Sequence, residues 1–363
     1  MAAVDPKTKT TYATTDWSKY QQGRPPYPPS LTELILNYHS KKPTAGYERL
    51  IDIGAGSGVA STNFMPSFQK IHISDPSPSN LEQARSFLSS FATENGLSEK
   101  VELEFSQAVG EEVHLSAGEG QADLVICATA AHFIDPDGLV GSAAKALRRG
   151  GTLAVFSYWM PSFPGKSEGF YERFVRVFDE VVLRALLGKV ENKPPPDWKS
   201  GENGEGEGEK WDLSKTHLGK VVSRRMTGEG GLDSLPLPEE LFEDGERVYI
   251  NLDKGEEIPF SGLYKIFAPP GRDRAGGPSR VGERDRIVRY FTEKGDRLAE
   301  GWEFEVDKEW LAKFFDTIQP PGVVTSRGAE EALAEWDRVF AEECPEGRTR
   351  IRWPAFVVLG TKK

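Results

Sequence analysis

Leu50-Ile51-Asp52-Ile53-Gly54-Ala55-Gly56-Ser57-Gly58 decides how this chain of 363 residues is read. A short apolar strand runs into three alternating glycines and then opens into a helix. Glycines at such a turn let the backbone bend sharply and let a ligand approach main-chain atoms. Working outward, Ile71 to Ser74 reads as a second strand and Val101 to Phe105 as a third. Ala122 to Ala128 is a fourth and Leu153 to Tyr158 a fifth. Residues 78–92 read as a helix with Leu81, Ala84, Leu88 and Phe91 on one face. Leu139 to Leu147 reads as another, stopped by Arg149-Gly150-Gly151. Strands alternating with helices point to an α/β fold, a Rossmann-like mostly parallel sheet with helices on both faces. Strands one, four and five lack apolar alternation, as expected when both faces are buried.

Outside this region the pattern is less regular. Residues 1–38 read as an N-terminal lid segment and first helix, the helix being Leu31 to Tyr38 with Ser30 as its N-cap. Residues 39–160 form the ligand-binding core, and 161–305 an inserted substrate-binding or lid region with two mobile loops, 193–210 and 268–283. Within the insertion Phe170 to Leu187 has helical spacing. Residues 306–363 supply helices at Trp310 to Ile318 and Ala329 to Glu342, then one closing strand, Ile351 to Gly360.

Hydrophobic residues make up 38% and charged residues 28%, a globular composition, and the formal net charge is −11. An acidic surface disfavours nucleic-acid partners, whose affinity rests on neutralising phosphates. Cys127 and Cys344 are too far apart for a disulfide framework or zinc spacing. With no signal-peptide core and no long apolar run, the expectation is a cytoplasmic protein that is a monomer or weak homodimer, binding neither membrane nor nucleic acid.

Two acids indicate the ligand. Asp52 stands two places before the first glycine, an unfavourable site for a pyrophosphate and a suitable one for an ammonium group. Asp75 ends the second strand, where a carboxylate accepts ribose hydroxyls. The third glycine falls one residue early for the Gly-x-Gly-x-x-Gly dinucleotide fingerprint, with Val59 in its place. S-adenosylmethionine has an α-ammonium, a ribose and no phosphate. Asp75 alone fits NAD equally, so a NAD(P)-dependent oxidoreductase stays an alternative, as does a regulatory or binding protein on the same fold without catalysis.

The residues from Leu50 to Gly58 resemble motif I of class I S-adenosylmethionine-dependent methyltransferases. Ile73-Ser-Asp-Pro-Ser resembles the acidic end of their second strand. Leu147-Arg-Arg-Gly-Gly-Thr-Leu resembles their turn before strand five, with Arg149 in place of proline. More narrowly, Tyr20 to Pro28 and Ala130-Ala-His-Phe-Ile-Asp are similar to the trans-aconitate methyltransferase-like family, which includes fungal small-molecule enzymes of the cantharidin-resistance type. The resemblance implies seven strands, the last antiparallel. It implies cofactor contacts from Asp52, Gly54, Ala55, Gly56, Gly58, Asp75 and Pro76, and an adenine edge at Val109, Gly110 and Glu111, where Val109 departs from the family pattern.

Beyond the fourth strand, Thr129 and Ala130 would let the methionine end of the cofactor approach the backbone. His132 reads either as a general base or as a hydrogen-bonding group. Arg24 and Tyr20 are candidate catalytic residues of the lid, Arg24 as a carboxylate clamp. Tyr27, Phe133, Tyr158 and Trp159 are candidate walls of the acceptor pocket. Asp135 and Asp137 flank Pro136 as helix initiators, and no acid cluster suggests a metal. The expected reaction is methyl transfer to a carboxylate or hydroxyl oxygen of a small metabolite.

Overall fold

A computed structural model describes residues 15–183, 213–254, 266–269, 271–272, 274–318 and 327–363. The expected loop 193–210 and the end of the helix expected over 170–187 lie outside them. The expected loop 268–283 lies inside them apart from residues 270 and 273.

The strands are β1 (Arg49–Ile53), β2 (Lys70–Asp75), β3 (Glu102–Gln107), β4 (Ala122–Ala128), β5 (Leu147–Tyr158), β6 (Phe242–Ile250), β7 (Arg286–Tyr290), β8 (Glu303–Asp307), β9 (Arg348–Arg352) and β10 (Ala355–Lys362). Eight of them form one sheet in the order β3-β2-β1-β4-β5-β10-β6-β7. β3 through β5 are mutually parallel, and β10 runs antiparallel between β5 and β6. β6 and β7 pair in parallel. β8 and β9 make a separate antiparallel pair.

Alternate residues of each central strand enter opposite cores. Leu50, Ile71, Ile73, Leu124 and Ile126 face one hydrophobic layer, while Ile51, Ile53, Val125 and Cys127 face the other. This double burial explains the missing hydropathy alternation. The first layer is covered by α2 (Pro29–His39) and α4 (Pro78–Glu94), the second by α5 (Val113–Ala117) and α6 (Pro136–Ala146). Ser77 and Asp135 cap α4 and α6 with their side chains, each followed by proline in the first turn, where its missing N–H costs nothing.

Three expectations are corrected. Among the described residues the sheet has eight strands rather than seven. The region 161–305 supplies β6 and β7 to that sheet and β8 to the small one, so it is not solely an insertion outside the core. The closing strand is two strands, divided at Trp353-Pro354, where Trp353 N–H donates to the Trp302 carbonyl at 2.8 Å.

β6 escapes a hydropathy reading because it buries charge. Arg247 is 1% exposed and donates through Nε to Asp285 at 2.8 Å and through Nη2 to the Leu235 carbonyl at 2.8 Å. A buried guanidinium is tolerated when its donors are matched in this way. After β5, α7 (Glu168–Val177) continues as a wider π-helical stretch, Phe178–Leu183. With α10 (Lys308–Ile318) and α11 (Arg327–Glu343) it builds an aromatic core of Phe163, Phe170, Phe174, Phe314 and Trp336. The two short elements between them are α8 (His217–Arg225) and α9 (Arg297–Glu300).

Candidate active site

The C-terminal ends of β1, β2, β4 and β5 converge where ligands sit in open α/β sheets. The turn after β1 carries Gly54, Gly56 and Gly58 at φ of +66°, +58° and +79°. Such values are open to glycine and strained for other residues. A Cβ on Gly58 would come within 2.7 Å of Leu88, so the turn is also close-packed onto α4.

Asp52 lies at the base of this turn with no solvent exposure. Its Oδ2 accepts the Ser61 hydroxyl at 2.7 Å, while its Oδ1 is buried without a hydrogen-bond partner. Burial pushes the carboxyl up to about 7, partly offset by Ser61 and reinforced by nearby Asp75. An orphaned carboxylate oxygen is costly unless a donor joins it. An ammonium group satisfies it and restores the ionised form.

Asp75 ends β2 and is also buried. Its Oδ2 accepts from Gly56 N–H at 3.0 Å, and its Oδ1 from Ser77 N–H at 2.9 Å and Asn80 Nδ2 at 3.0 Å. Burial raises its carboxyl and these three donors pull it back. The carboxylate therefore ties the glycine turn to the start of α4, with a lone pair remaining on Oδ2. Pro76 accepts Gln107 Nε2 through its carbonyl at 3.1 Å.

The N-terminal segment packs over this turn through a residue that sequence reasoning missed. Trp17 starts α1 (Trp17–Gln22), which Asp16 caps. Its indole N–H donates to Asn80 Oδ1 at 3.0 Å, and its ring lies 2.6 Å from where a Cβ of Gly56 would stand. An isolated tryptophan in a polar segment gave no periodic signal. Arg24 stacks on Tyr20 at 4.6 Å and donates to the Thr317 carbonyl of α10 at 3.2 Å. Tyr20 and Arg24 thus join the N-terminal segment to α10. Tyr27 reaches deeper: its hydroxyl bonds to Thr129 Oγ1 at 2.9 Å and its ring meets Phe156 edge-on. Burial raises the Tyr27 hydroxyl above its usual range, so it is a neutral phenol.

Thr129 has φ +54°, unusual for a β-branched residue. This bend at the end of β4 turns Ala130 toward the glycine loop, where a Cβ on Gly54 would lie 2.8 Å from the Ala130 methyl. His132 follows, buried, its Nε2 2.6 Å from Arg225 Nη2 of α8. Burial, then Arg225, Arg224, Arg24 and His217, hold its imidazole well below the usual histidine range. The ring is neutral and accepts from a guanidinium, the arrangement of a hydrogen-bonding group rather than of a base awaiting a proton. Phe133 packs against it at 4.0 Å. Trp159 lies under Arg225, whose guanidinium is 3.8 Å from the ring centre. Tyr158 is buried among Tyr27, Trp302 and Trp353.

After β3, Val109 precedes a short turn, Gly110 is buried against Ile134, and Glu111 accepts the Asp135 N–H at 2.9 Å. Glu111 thereby braces the start of α6. The structure brings Asp52, Asp75, the glycines, Thr129, Ala130, Tyr27 and His132 to one end of the sheet.

Residues 51–155 match the methyltransferase domain family. That stretch is similar to methyltransferase domains, and the similar curated proteins are methyltransferases. Among the proteins similar along most of the chain are three from fungi. The methyltransferase tpcM of Aspergillus fumigatus is 25% identical over 350 residues, 96% of this chain and 91% of that protein. The methyltransferase gedG of Aspergillus terreus is 23% identical over 351 residues, 95% and 91% of the two chains. The methyltransferase ptaI of Pestalotiopsis fici is 24% identical over 354 residues, 96% and 93%. The matched domain spans β1 to β5 and so includes the glycine turn, Asp52, Asp75 and His132. Among the described residues, no helix is long and apolar enough to cross a membrane.

Proposed function

We propose that this chain transfers a methyl group from S-adenosylmethionine to an oxygen, carboxylate or hydroxyl, of a small organic metabolite, without a metal. The observation that carries the reading is the buried, unpartnered Oδ1 of Asp52 at the floor of a left-handed glycine turn. Asp52 would hold the α-ammonium, and Asp75 the ribose hydroxyls, with Gly54, Gly56 and Ala130 allowing close approach. When bound, the cofactor supplies a methyl carbon already activated by a sulfonium.

The protein's own task is alignment and exclusion of water. Trp17 and Tyr20 close the lid, and Tyr27 and Thr129 shape the floor. The acceptor oxygen attacks in line, the new C–O bond forms as the C–S bond breaks, and the electron pair stays on sulfur. A carboxylate needs no base, and a hydroxyl gives up its proton to solvent as it reacts. The narrower likeness to trans-aconitate methyltransferase-like enzymes rests on Tyr20 to Pro28 and Ala130 to Asp135. Action in the cytoplasm as a monomer or weak homodimer belongs to the same reading.

The test is transfer of labelled methyl from S-adenosylmethionine to a panel of small acids, phenols and amines, with and without a chelator. Labelled methyl ethers or esters, unaffected by chelation, are expected. Tight NAD binding with no adenosylhomocysteine binding would reverse the reading. An inert protein that still binds adenosylhomocysteine and a protein partner would favour the regulatory one.

A further inference from the structure

Helix α1 has six residues, none of them buried, and a helix so short does not hold together by itself. Side chains on one face of α4 seat it. Gln83 brackets its start: Oε1 accepts Trp17 N–H at 3.4 Å, and Nε2 donates to the Thr15 carbonyl at 3.2 Å. Asn80, three residues earlier on the same face, accepts the Trp17 indole N–H at 3.0 Å.

Asn80 is buried and its amide is used at both prongs. Oδ1 takes the indole, and Nδ2 donates to Asp75 Oδ1 at 3.0 Å. Its main-chain N–H donates to Ser77 Oγ at 3.3 Å. One prong of an amide only accepts and the other only donates. Flipping it would set its carbonyl against a carboxylate and its NH2 against the indole N–H, so the two partners together fix one orientation.

A carboxylate offers about four acceptor positions, two on each oxygen. On Asp75, Ser77 N–H at 2.9 Å and Asn80 Nδ2 fill Oδ1, and Gly56 N–H at 3.0 Å takes one position on Oδ2. One position is left, on Oδ2. The cis-diol of a ribose brings two hydroxyl donors. Ser77 and Gly56 donate from the main chain, so Asn80 is the side chain that sets the count.

We propose, resting on the assignment of Asp75 to the ribose, that Asn80 is a positioning residue that makes Asp75 accept a single ribose hydroxyl. Asn80 Nδ2 holds the place on Oδ1 that a second hydroxyl would need, and the Trp17 indole keeps the amide turned that way. One hydroxyl of the ligand donates to Oδ2. The site therefore tells the 2′-hydroxyl from the 3′-hydroxyl, which a carboxylate open on both oxygens would not do.

The experiment titrates the full chain calorimetrically with adenosylhomocysteine and with its 2′-deoxy, 3′-deoxy and 2′,3′-dideoxy analogues. In the wild type one single-deoxy analogue should bind within about threefold of adenosylhomocysteine. The other, and the dideoxy analogue, should bind at least about tenfold more weakly, the size of one hydrogen bond to a charged group. In Asn80→Ala the place on Oδ1 opens, and both single-deoxy analogues should fall clearly below adenosylhomocysteine. A general loss of structure would weaken all four ligands alike and would not redistribute them. Equal losses for the two single-deoxy analogues in the wild type overturn the proposal and leave Asp75 as the ribose acid. An asymmetry that persists unchanged in Asn80→Ala also overturns it, because another group then sets it. Should Asn80→Ala fail to fold, an asymmetry undiminished in Trp17→Phe overturns it instead. Four equal affinities remove Asp75 from the ribose, and no binding of any of the four removes the cofactor reading; the proposal falls with either.

Discussion

Asp52→Asn separates what the buried carboxyl does to the fold from what it does for the ligand. Burial pushes Asp52 up to about 7 from the 3.8 of the free side chain. The native protein therefore keeps a proton that the unfolded chain releases at lower pH. The contribution of this group to stability is complete below 3.8 and is lost as pH rises through 7. Between pH 5 and pH 8 the loss amounts to about 3 kcal/mol. Asparagine carries no charge at either pH and its carbonyl can still accept the Ser61 hydroxyl. Its amide nitrogen takes the place of the unpartnered Oδ1, a cost of about 1–3 kcal/mol that is equal at both pH values and cancels. The stability of Asp52→Asn relative to wild type should thus be about 3 kcal/mol more favourable at pH 8 than at pH 5. Ligand binding should move the other way: loss of a charge-assisted bond costs about 1.5–3 kcal/mol, a fall in adenosylhomocysteine affinity of roughly 10- to 150-fold. Denaturant unfolding of the ligand-free protein at the two pH values, with calorimetric titration of adenosylhomocysteine at pH 8, measures both. A relative stability equal within about 1 kcal/mol at pH 5 and 8, or an affinity within about threefold of wild type, would refute the reasoning.

Wild-type adenosylhomocysteine affinity should fall as pH drops below about 7, by about tenfold per unit, because the ammonium pairs with ionised Asp52; titrations from pH 5.5 to 8 would show it, and Asp52→Asn should be flat. Gly58→Ala places a Cβ at φ +79° and 2.7 Å from Leu88, and should cost about 2 kcal/mol in thermal unfolding. Trp17→Ala removes the indole from Asn80 and Gly56; adenosylhomocysteine should dissociate about tenfold faster in stopped flow, as expected of a lost lid contact, with little change in melting temperature. Arg247→Met strands the buried Asp285 carboxylate and should destabilise by about 3–5 kcal/mol in denaturant.

The core was legible because its physics is local. Leu50 to Gly58 announces a strand, a turn and a close approach in nine consecutive residues, and Asp52 and Asp75 stand where those elements end. Strand β6 was not legible, because Glu246 and Arg247 look like surface residues until Lys41, Arg286 and Asp285 are placed beside them. Strand β7 is only partly buried, so its five residues show no clear period. The partnership of Arg225 with His132 spans 93 positions, and nothing in either segment points to the other. Trp17 was invisible for the same reason: its partner Asn80 lies 63 residues away.

These misses share one cause, and it bears on how the site divides its work. The proposed cofactor contacts come from the ends of β1, β2 and β4, where one turn after one strand is enough, and such turns leave a signature in contiguous sequence. Helix α8 meets the end of β4 through Arg225 and His132, and Tyr249 on β6 holds Asp233 in the loop after it, with β6 itself paired to β10 near the end of the chain. Strands β6 and β10 thus act as the mount for Arg225 as well as the completion of the sheet. If α8 lines the acceptor site, a change in acceptor requires new side chains on α8 and the Met226–Leu235 loop, with β6 and the glycine turn left in place. Exchanging that helix and loop with the corresponding segment of a relative should transfer acceptor preference while leaving adenosylhomocysteine affinity where it was, since none of the groups assigned to the cofactor lies within it.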